Sequence, residues 1–215
     1  MTTPCPFCVD SVHPNAPGWI PTQSRLLGTV GEISICAGLG AIVQPYVLAY
    51  PRLHILGISE LAAHVRRDLI DVLDWCLETN LFPSHKLTVF EHGGRSSSET
   101  TGCLEHCHLH ILDGQFDLVD ALIAIYPEAE EVTVSSTTNI TSESSYLLAG
   151  VYEGSTVEGV MVHAPGCGSQ FFRRTLAALV HEEQEWNWRA FPKPEAAISL
   201  CKVWPATRSK SIRPA

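Results

Sequence analysis

His106-Cys107-His108-Leu109-His110-Ile111-Leu112 places three imidazoles at alternate positions, with Cys107, Leu109 and Ile111 between them. A side-chain period of two is that of a β-strand, so the three His would project from one face and the apolar residues from the other. A helix would scatter them over about 200° of arc, because each residue turns the chain by roughly 100°. Three imidazoles in register are costly to bury unless something anionic or metallic meets them. The spacing therefore predicts a strand over residues 106–112 that carries a binding or catalytic face.

The remainder of the chain sets bounds on that site. At 215 residues and 45% hydrophobic, it suits one domain with a sizeable core and an elaboration. A net charge of −9 argues against nucleic acid as the main partner, since phosphate backbones select Lys and Arg on the surface. No apolar run is long enough for a membrane span. Met1 to Asp10 has neither a basic n-region nor an apolar h-region, so a cytoplasmic chain with reduced thiols is expected despite its eight Cys. Cys36, Cys76 and Cys201 sit in apolar surroundings and read as small hydrophobes.

Read in order, the chain opens with Cys5-Pro6-Phe7-Cys8. A C-x2-C pair places two thiolates on one turn, the usual half of a tetrahedral zinc site, though redox pairs share the pattern. Residues 10–23 read as a loop. Strands follow at Glu32–Ala37, Ala41–Val43 and Tyr46–Tyr50. Ser59 is a plausible N-cap for a helix over Glu60–Glu78, whose Leu61, Val65, Leu69, Val72, Leu73, Cys76 and Leu77 form an i, i+4 stripe. His64 falls outside that stripe and reads as a solvated side chain. Lys86–Phe90 is a strand that would pair with the His strand and bring His92, in Glu91-His92-Gly93-Gly94, near the imidazoles. A Ser-rich loop then runs from Arg95 to Thr101.

After the His strand, Phe116–Tyr126 reads as a short helix. Glu131–Val134, Tyr146–Tyr152 and Val157–Val162 read as strands. A helix over Ser169–Val180 follows a Gly-rich turn, with Ser169 as its cap. Arg173 and Arg174 at its start could seat an anion, or could pair with Glu182, Glu183 and Glu185. Glu185–Arg189 reads as a packed aromatic segment, and Val203 onward as a disordered tail.

The His106–Leu112 stretch resembles the signature of the histidine triad family, His-φ-His-φ-His-φ-φ with φ apolar. Cys5-Pro6-Phe7-Cys8 is similar to the C-x-F-C near the start of many members. Val47-Leu48-Ala49-Tyr50-Pro51-Arg52-Leu53-His54 is similar to the family strand that ends in Pro and then His before the first long helix. The resemblance covers roughly residues 5–115. It implies an α+β fold with an antiparallel five-stranded sheet and two main helices over residues 1–115, commonly dimeric. Residues 116–202 would then be a C-terminal strand and helix extension, with a tail from 203.

The resemblance also implies a chemistry. Family members are nucleotidyl hydrolases and transferases that act on an α-phosphate. His108 would attack phosphorus and form a nucleotidyl-imidazole, which water opens to a nucleoside monophosphate. A neutral imidazole is a competent nucleophile near pH 7, provided its other nitrogen donates to a carbonyl. His110 would hold phosphate oxygens and could pass a proton to the leaving group. The transferase branch has Gln in that third place, so His110 favours hydrolysis. Carried over residue by residue, Cys5, Cys8, His54 and His106 would hold a structural Zn²⁺ with no open position.

There are departures from the family pattern. Glu91-His92-Gly93-Gly94 stands where many hydrolases have Asn-x-Gly, Gly102 where Gln is frequent, and Cys103 where a phosphate-touching Ser often lies. These shift the expected leaving group, and make His92, Gly102, Cys103, Arg173 and Arg174 the candidate substrate-binding residues. Two other readings stand beside hydrolysis: a zinc-stabilised nucleotide-binding protein without turnover, and a catalytic metal on all three His. The second is weaker, because alternate strand residues lie roughly 6.5–7 Å apart.

Overall fold

The computed structural model describes residues 5–8, 25–94, 106–138, 140–142, 144–163 and 167–205. Among the described residues, besides a helical turn at 6–8, eight strands and four longer α-helices follow one another along the chain. In order they are β1 (Leu26–Val30), β2 (Ile33–Ala37), β3 (Tyr46–Pro51), α1 (Ala63–Glu78), β4 (Leu87–Gly93), β5 (Leu109–Asp113), α2 (Leu118–Ile125), β6 (Glu130–Val134), β7 (Tyr146–Tyr152), β8 (Val157–His163), α3 (Phe171–Leu179) and α4 (Pro194–Val203). A single turn of 3₁₀-helix spans Ile58–Glu60. The strands form one antiparallel sheet in the order β1-β2-β3-β5-β4-β7-β8-β6, so the fold is α+β.

All eight described strands share this sheet, so those of the expected C-terminal extension continue it. The first five in sequence lie together at one end. The sheet then runs on, because β7 pairs with β4 along its full length, from Leu87↔Tyr152 to Gly93↔Tyr146. The alternation of side chains decides what each face buries. Leu109 and Ile111 of β5 join Val47, Ala49, Val89 and the α1 residues Val65, Leu69, Val72, Leu73 and Cys76 in one core cluster. Leu112 packs on the opposite face with Leu48, Phe90, Leu147, Ala149 and the α3 residues Phe172 and Leu176. His110 alternates with Ile111 and so projects into that second layer, between sheet and α3.

Several expected elements are corrected. Only Leu109–Asp113 is strand; His106, Cys107 and His108 form an irregular lead-in. The reason is that this backbone is engaged elsewhere: the Cys107 N–H donates to the Ile55 carbonyl at 2.7 Å rather than to a sheet neighbour. Ala41–Val43 is not a strand, since Gly40 takes the left-handed region at φ +65° and Pro45 has no N–H for a ladder. The long helix begins at Ala63 without a side-chain cap. Glu60 instead turns its carboxylate back to the Leu56 N–H at 3.2 Å.

Two further corrections concern the site and the C-terminal end. Glu91, His92 and Gly93 belong to β4, because β7 offers them partners at Leu148, Leu147 and Tyr146. Ser169 does not cap α3; Gln170, left-handed at φ 58°, precedes its first turn. Sequence periodicity also missed α4, which opens on Pro194, whose fixed φ suits a first helical position. Val203 closes α4, and Trp204 is buried with its ring 5.4 Å from that of Trp75. The Arg208, Lys210 and Arg213 tail lies outside the described residues, as do the 10–23 and 95–101 loops. No helix among the described residues is long and apolar enough to cross a membrane.

Candidate active site and metal cluster

The lead-in that precedes β5 sets the orientation of His106 and His108. The ring of His108 turns back so that Nδ1 meets the His106 carbonyl at 2.7 Å. A carbonyl only accepts, so Nδ1 carries the proton and Nε2 keeps its lone pair. Burial holds the His108 pKa down to about 4, outweighing the His106 carbonyl bond that favours the charged form; His106 and His92 lower it further. The ring is therefore neutral near pH 7 and lines a cleft, which is what a nitrogen nucleophile requires.

His106 faces the other way. Its Nε2 lies 2.8 Å from the Pro51 carbonyl, so Nε2 is the protonated nitrogen and Nδ1 is free to act as a ligand. That Nδ1 lies 3.4 Å from Cys5 Sγ and 3.6 Å from Cys8 Sγ, while His54 Nδ1 lies 3.2 Å from Cys8 Sγ. All four ligand atoms fall within 4.8 Å of one another. Ligands of a tetrahedral ion with bonds of roughly 2.0–2.3 Å are themselves roughly 3.3–3.8 Å apart, so the cluster can hold a metal ion with little adjustment. Burial, and after it the neighbouring Cys5 thiol, raises the pKa of Cys8 to about 11, a penalty that a cation between the thiols would reverse.

The C-x2-C spacing produces this geometry. Residues 6–8 form one helical turn, which brings positions three apart onto the same side. Phe7, between the thiols, points inward and is buried against Tyr50, with ring centroids 4.5 Å apart. Its ring also lies 5.4 Å from His106 and 5.1 Å from His108. One apolar plug thus packs between the Cys/His cluster and the cleft.

His110 is the member of the triad held by the sheet, paired with Leu48 and Phe90. Its ring stacks on Phe90 at 4.3 Å and 13° and lies 4.8 Å from the His108 ring. Its Nδ1 is 2.5 Å from the Tyr46 hydroxyl. Burial, then His108, Arg173 and His92, hold its pKa well below 6.5. Arg173 is itself buried. It donates through Nε to the Trp186 carbonyl at 2.8 Å, through Nη2 to the Gly40 carbonyl at 2.6 Å and through Nη1 to the Tyr46 hydroxyl at 3.2 Å.

A cleft opens over these rings. Its walls are largely aromatic: Phe7, Tyr46, Phe90, Phe171, Phe172 and Trp188, with His92, His108 and His110 as polar groups. His92 lines the same cleft and its Nε2 lies 3.6 Å from Cys167 Sγ. Arg173 lines the cleft with a guanidinium already committed to three oxygens. Arg174 is exposed, donates to the Cys167 carbonyl at 3.3 Å and lies over the Trp186 ring. Among the described residues neither Arg forms an ion pair, and Glu185 pairs with Lys193. Gly102 and Cys103 lie outside the described residues.

Sequence reasoning missed Tyr46, Phe90 and Glu91. Glu91 is fully buried beneath the lead-in, where Tyr146 Oη donates to it at 2.5 Å and Cys107 Sγ at 3.2 Å. Burial raises its pKa to about 7 against the pull of those bonds. Tyr46 and Phe90 could have been found once β3 and β4 were placed beside β5, because they share the face of His110. Comparison with known proteins returns no matching family model and no matching curated protein.

Proposed function

We propose that the chain is a nucleotidyl hydrolase of the histidine triad kind, which releases a nucleoside monophosphate through a covalent intermediate on His108. The observation that carries this reading is the bond from His108 Nδ1 to the His106 carbonyl at 2.7 Å. It leaves the Nε2 lone pair on a neutral ring that lines an aromatic cleft. The Nε2 lone pair forms a bond to the α-phosphorus while the bond from phosphorus to the leaving group breaks, its electron pair departing with that group. Water then attacks phosphorus, the P–N bond returns its pair to Nε2, and the monophosphate leaves. His110 lies beside His108 to meet phosphate oxygens and the leaving group. The substrate is a nucleotide conjugate or dinucleoside polyphosphate, and His92 at the cleft wall is a further contact to it.

The metal is Zn²⁺ in this reading. Two thiolates and two imidazoles suit it better than Mg²⁺, and four protein ligands leave no position for a reacting water. Cys5, Cys8, His54 and His106 would hold it, and its part is to tie the N-terminal turn and Phe7 against the lead-in to His108.

Intact-mass spectrometry after an acid-free quench, with a panel of adenosine and guanosine conjugates, tests the proposal. A nucleotidyl adduct on the wild type and none on His108→Ala, with monophosphate released over time, is the expected result. No adduct and no product across the panel would instead favour a nucleotide-binding protein without turnover.

A further inference from the structure

We infer that Tyr46 and Arg173 form a buried lock that fixes His110 as a hydrogen-bond donor through Nε2, so that the C-terminal extension sets the proton position in the reacting centre. The inference rests on the proposed hydrolase reading for its consequence, but its structural content stands on the hydrogen-bond geometry alone.

The argument is one of donors and acceptors. A guanidinium has five N–H donors and no acceptor. Arg173 Nη1 lies 3.2 Å from Tyr46 Oη, so the phenol oxygen is the acceptor in that contact. Tyr46 Oη also lies 2.5 Å from His110 Nδ1. Among the described residues no other acceptor is placed to take the hydroxyl hydrogen. Were Nδ1 protonated, both neighbours would donate to the phenol oxygen, and its own hydrogen would be buried without a partner. A buried donor left without a partner is disfavoured, because it loses its bond to water and gains none. The satisfied arrangement runs one way: Arg173 donates to Tyr46, and Tyr46 donates to His110 Nδ1. A neutral imidazole that accepts at Nδ1 carries its hydrogen on Nε2.

The chain is anchored at its far end. The Arg173 guanidinium cannot swing, because Nε and Nη2 are held by the Trp186 and Gly40 carbonyls. Tyr46 is buried at the start of β3 and pairs with Leu112. The His110 ring is clamped between Tyr46 and Phe90, at 5.7 Å and 4.3 Å between centroids. His108 shows the opposite assignment, with Nδ1 donating to a carbonyl. Two adjacent rings of the same residue type are thus sorted: one keeps a lone pair at Nε2, the other a hydrogen. A phosphoryl group between them would meet a nucleophile from one and a donor from the other. Tyr46 and Arg173 touch neither substrate nor phosphorus in this scheme and are positioning residues.

Long-range ¹⁵N–¹H correlation spectra of the histidine rings, on the full-length metal-loaded protein, read the tautomer directly and need no substrate. In the wild type His110, assigned by the loss of its signals in His110→Gln, is expected as the pure Nε2–H form. In Tyr46→Phe, which removes only the hydroxyl, the pure form should give way to a mixture or to Nδ1–H. A wild-type Nδ1–H signal, or an unchanged Nε2–H form in Tyr46→Phe, would overturn the inference. Turnover adds a second readout: Tyr46→Phe should lower kcat by about 10–100-fold with KM within about 3-fold, the scale set by losing an oriented proton donor. Arg173→Lys, which keeps a cation near Tyr46, should recover part of the kcat lost in Arg173→Met; equal loss in both would count against the lock. If the wild type turned nothing over, the hydrolase reading would fail while the spectra still decided the tautomer.

Discussion

Replacing Glu91 by Gln should change how the stability of the protein depends on pH. The wild-type carboxyl has no exposure and three donors around it, the Ile58 N–H, Tyr146 Oη and Cys107 Sγ. Burial nevertheless dominates and raises its pKa from 4.5 to about 7. That displacement corresponds to about 3 kcal/mol between its two protonation states. The folded state then holds a proton that the unfolded chain has released, and ν_U − ν_N is negative between the two values. The stabilising contribution is complete below pH 4.5 and is lost as pH rises through 7. A glutamine amide accepts from Ile58 and donates to Tyr146 without ionising, so it mimics the protonated carboxyl at every pH. The stability of the wild type minus that of Glu91→Gln should therefore fall by about 2–3 kcal/mol between pH 5 and pH 8. Urea unfolding of both proteins at those two pH values, with the metal cluster saturated, measures it. Other titrating groups are common to both proteins and cancel. A difference that stays flat across that range would show that Glu91 is not held by burial in the way its surroundings imply.

Other perturbations separate the parts of the site. Cys8→Ser should lose bound metal and much of its response to chelators, while His108→Ala should keep its full metal content by elemental analysis, because His108 supplies no ligand to the cluster. Gly38→Ala should act on the cleft from behind: a Cβ there would lie 2.3 Å from Cδ1 of Tyr46, and the displaced ring should cost turnover without loss of metal. Phe172→Ala should destabilise the fold by about 3–5 kcal/mol in denaturant unfolding, the usual scale for emptying a buried aromatic site, since Phe172 is buried against Phe90 at 5.1 Å.

How far the sequence could be read depended on the range of the interactions involved. Tyr146–Tyr152 as a strand and the stripe from Val65 to Cys76 were legible because each is fixed by a local period. The grouping of Cys5, Cys8, His54 and His106 followed from a motif resemblance, and the structure brings those four together. The single continuous sheet was not legible, because nothing local to Leu87–Gly93 says that its free edge will be taken by a strand more than fifty residues later. Arg173 shows the same limit. Near the start of a helix after a Gly-rich turn it could be read as an anion seat or as an ion-pair partner of Glu182, Glu183 or Glu185, whereas the fold commits it to Gly40, Trp186 and Tyr46. Helix α4 was hidden because its pattern is short and half of small residues, and the Trp204 that follows it packs on the distant Trp75 and Phe82.

The triad also shows why composition alone understates a histidine site. The three imidazoles are chemically identical in the sequence, and what separates them is the partner of one nitrogen on each ring. A carbonyl of β3, Pro51, takes the Nε2 hydrogen of His106 and turns Nδ1 toward the thiols. A carbonyl within the triad itself takes the Nδ1 hydrogen of His108 and frees Nε2. A hydroxyl from β3, backed by an arginine from α3, faces Nδ1 of His110. Burial holds all three below their ordinary pKa, so near neutral pH each ring has one hydrogen, and its placement is set by that partner rather than by solvent.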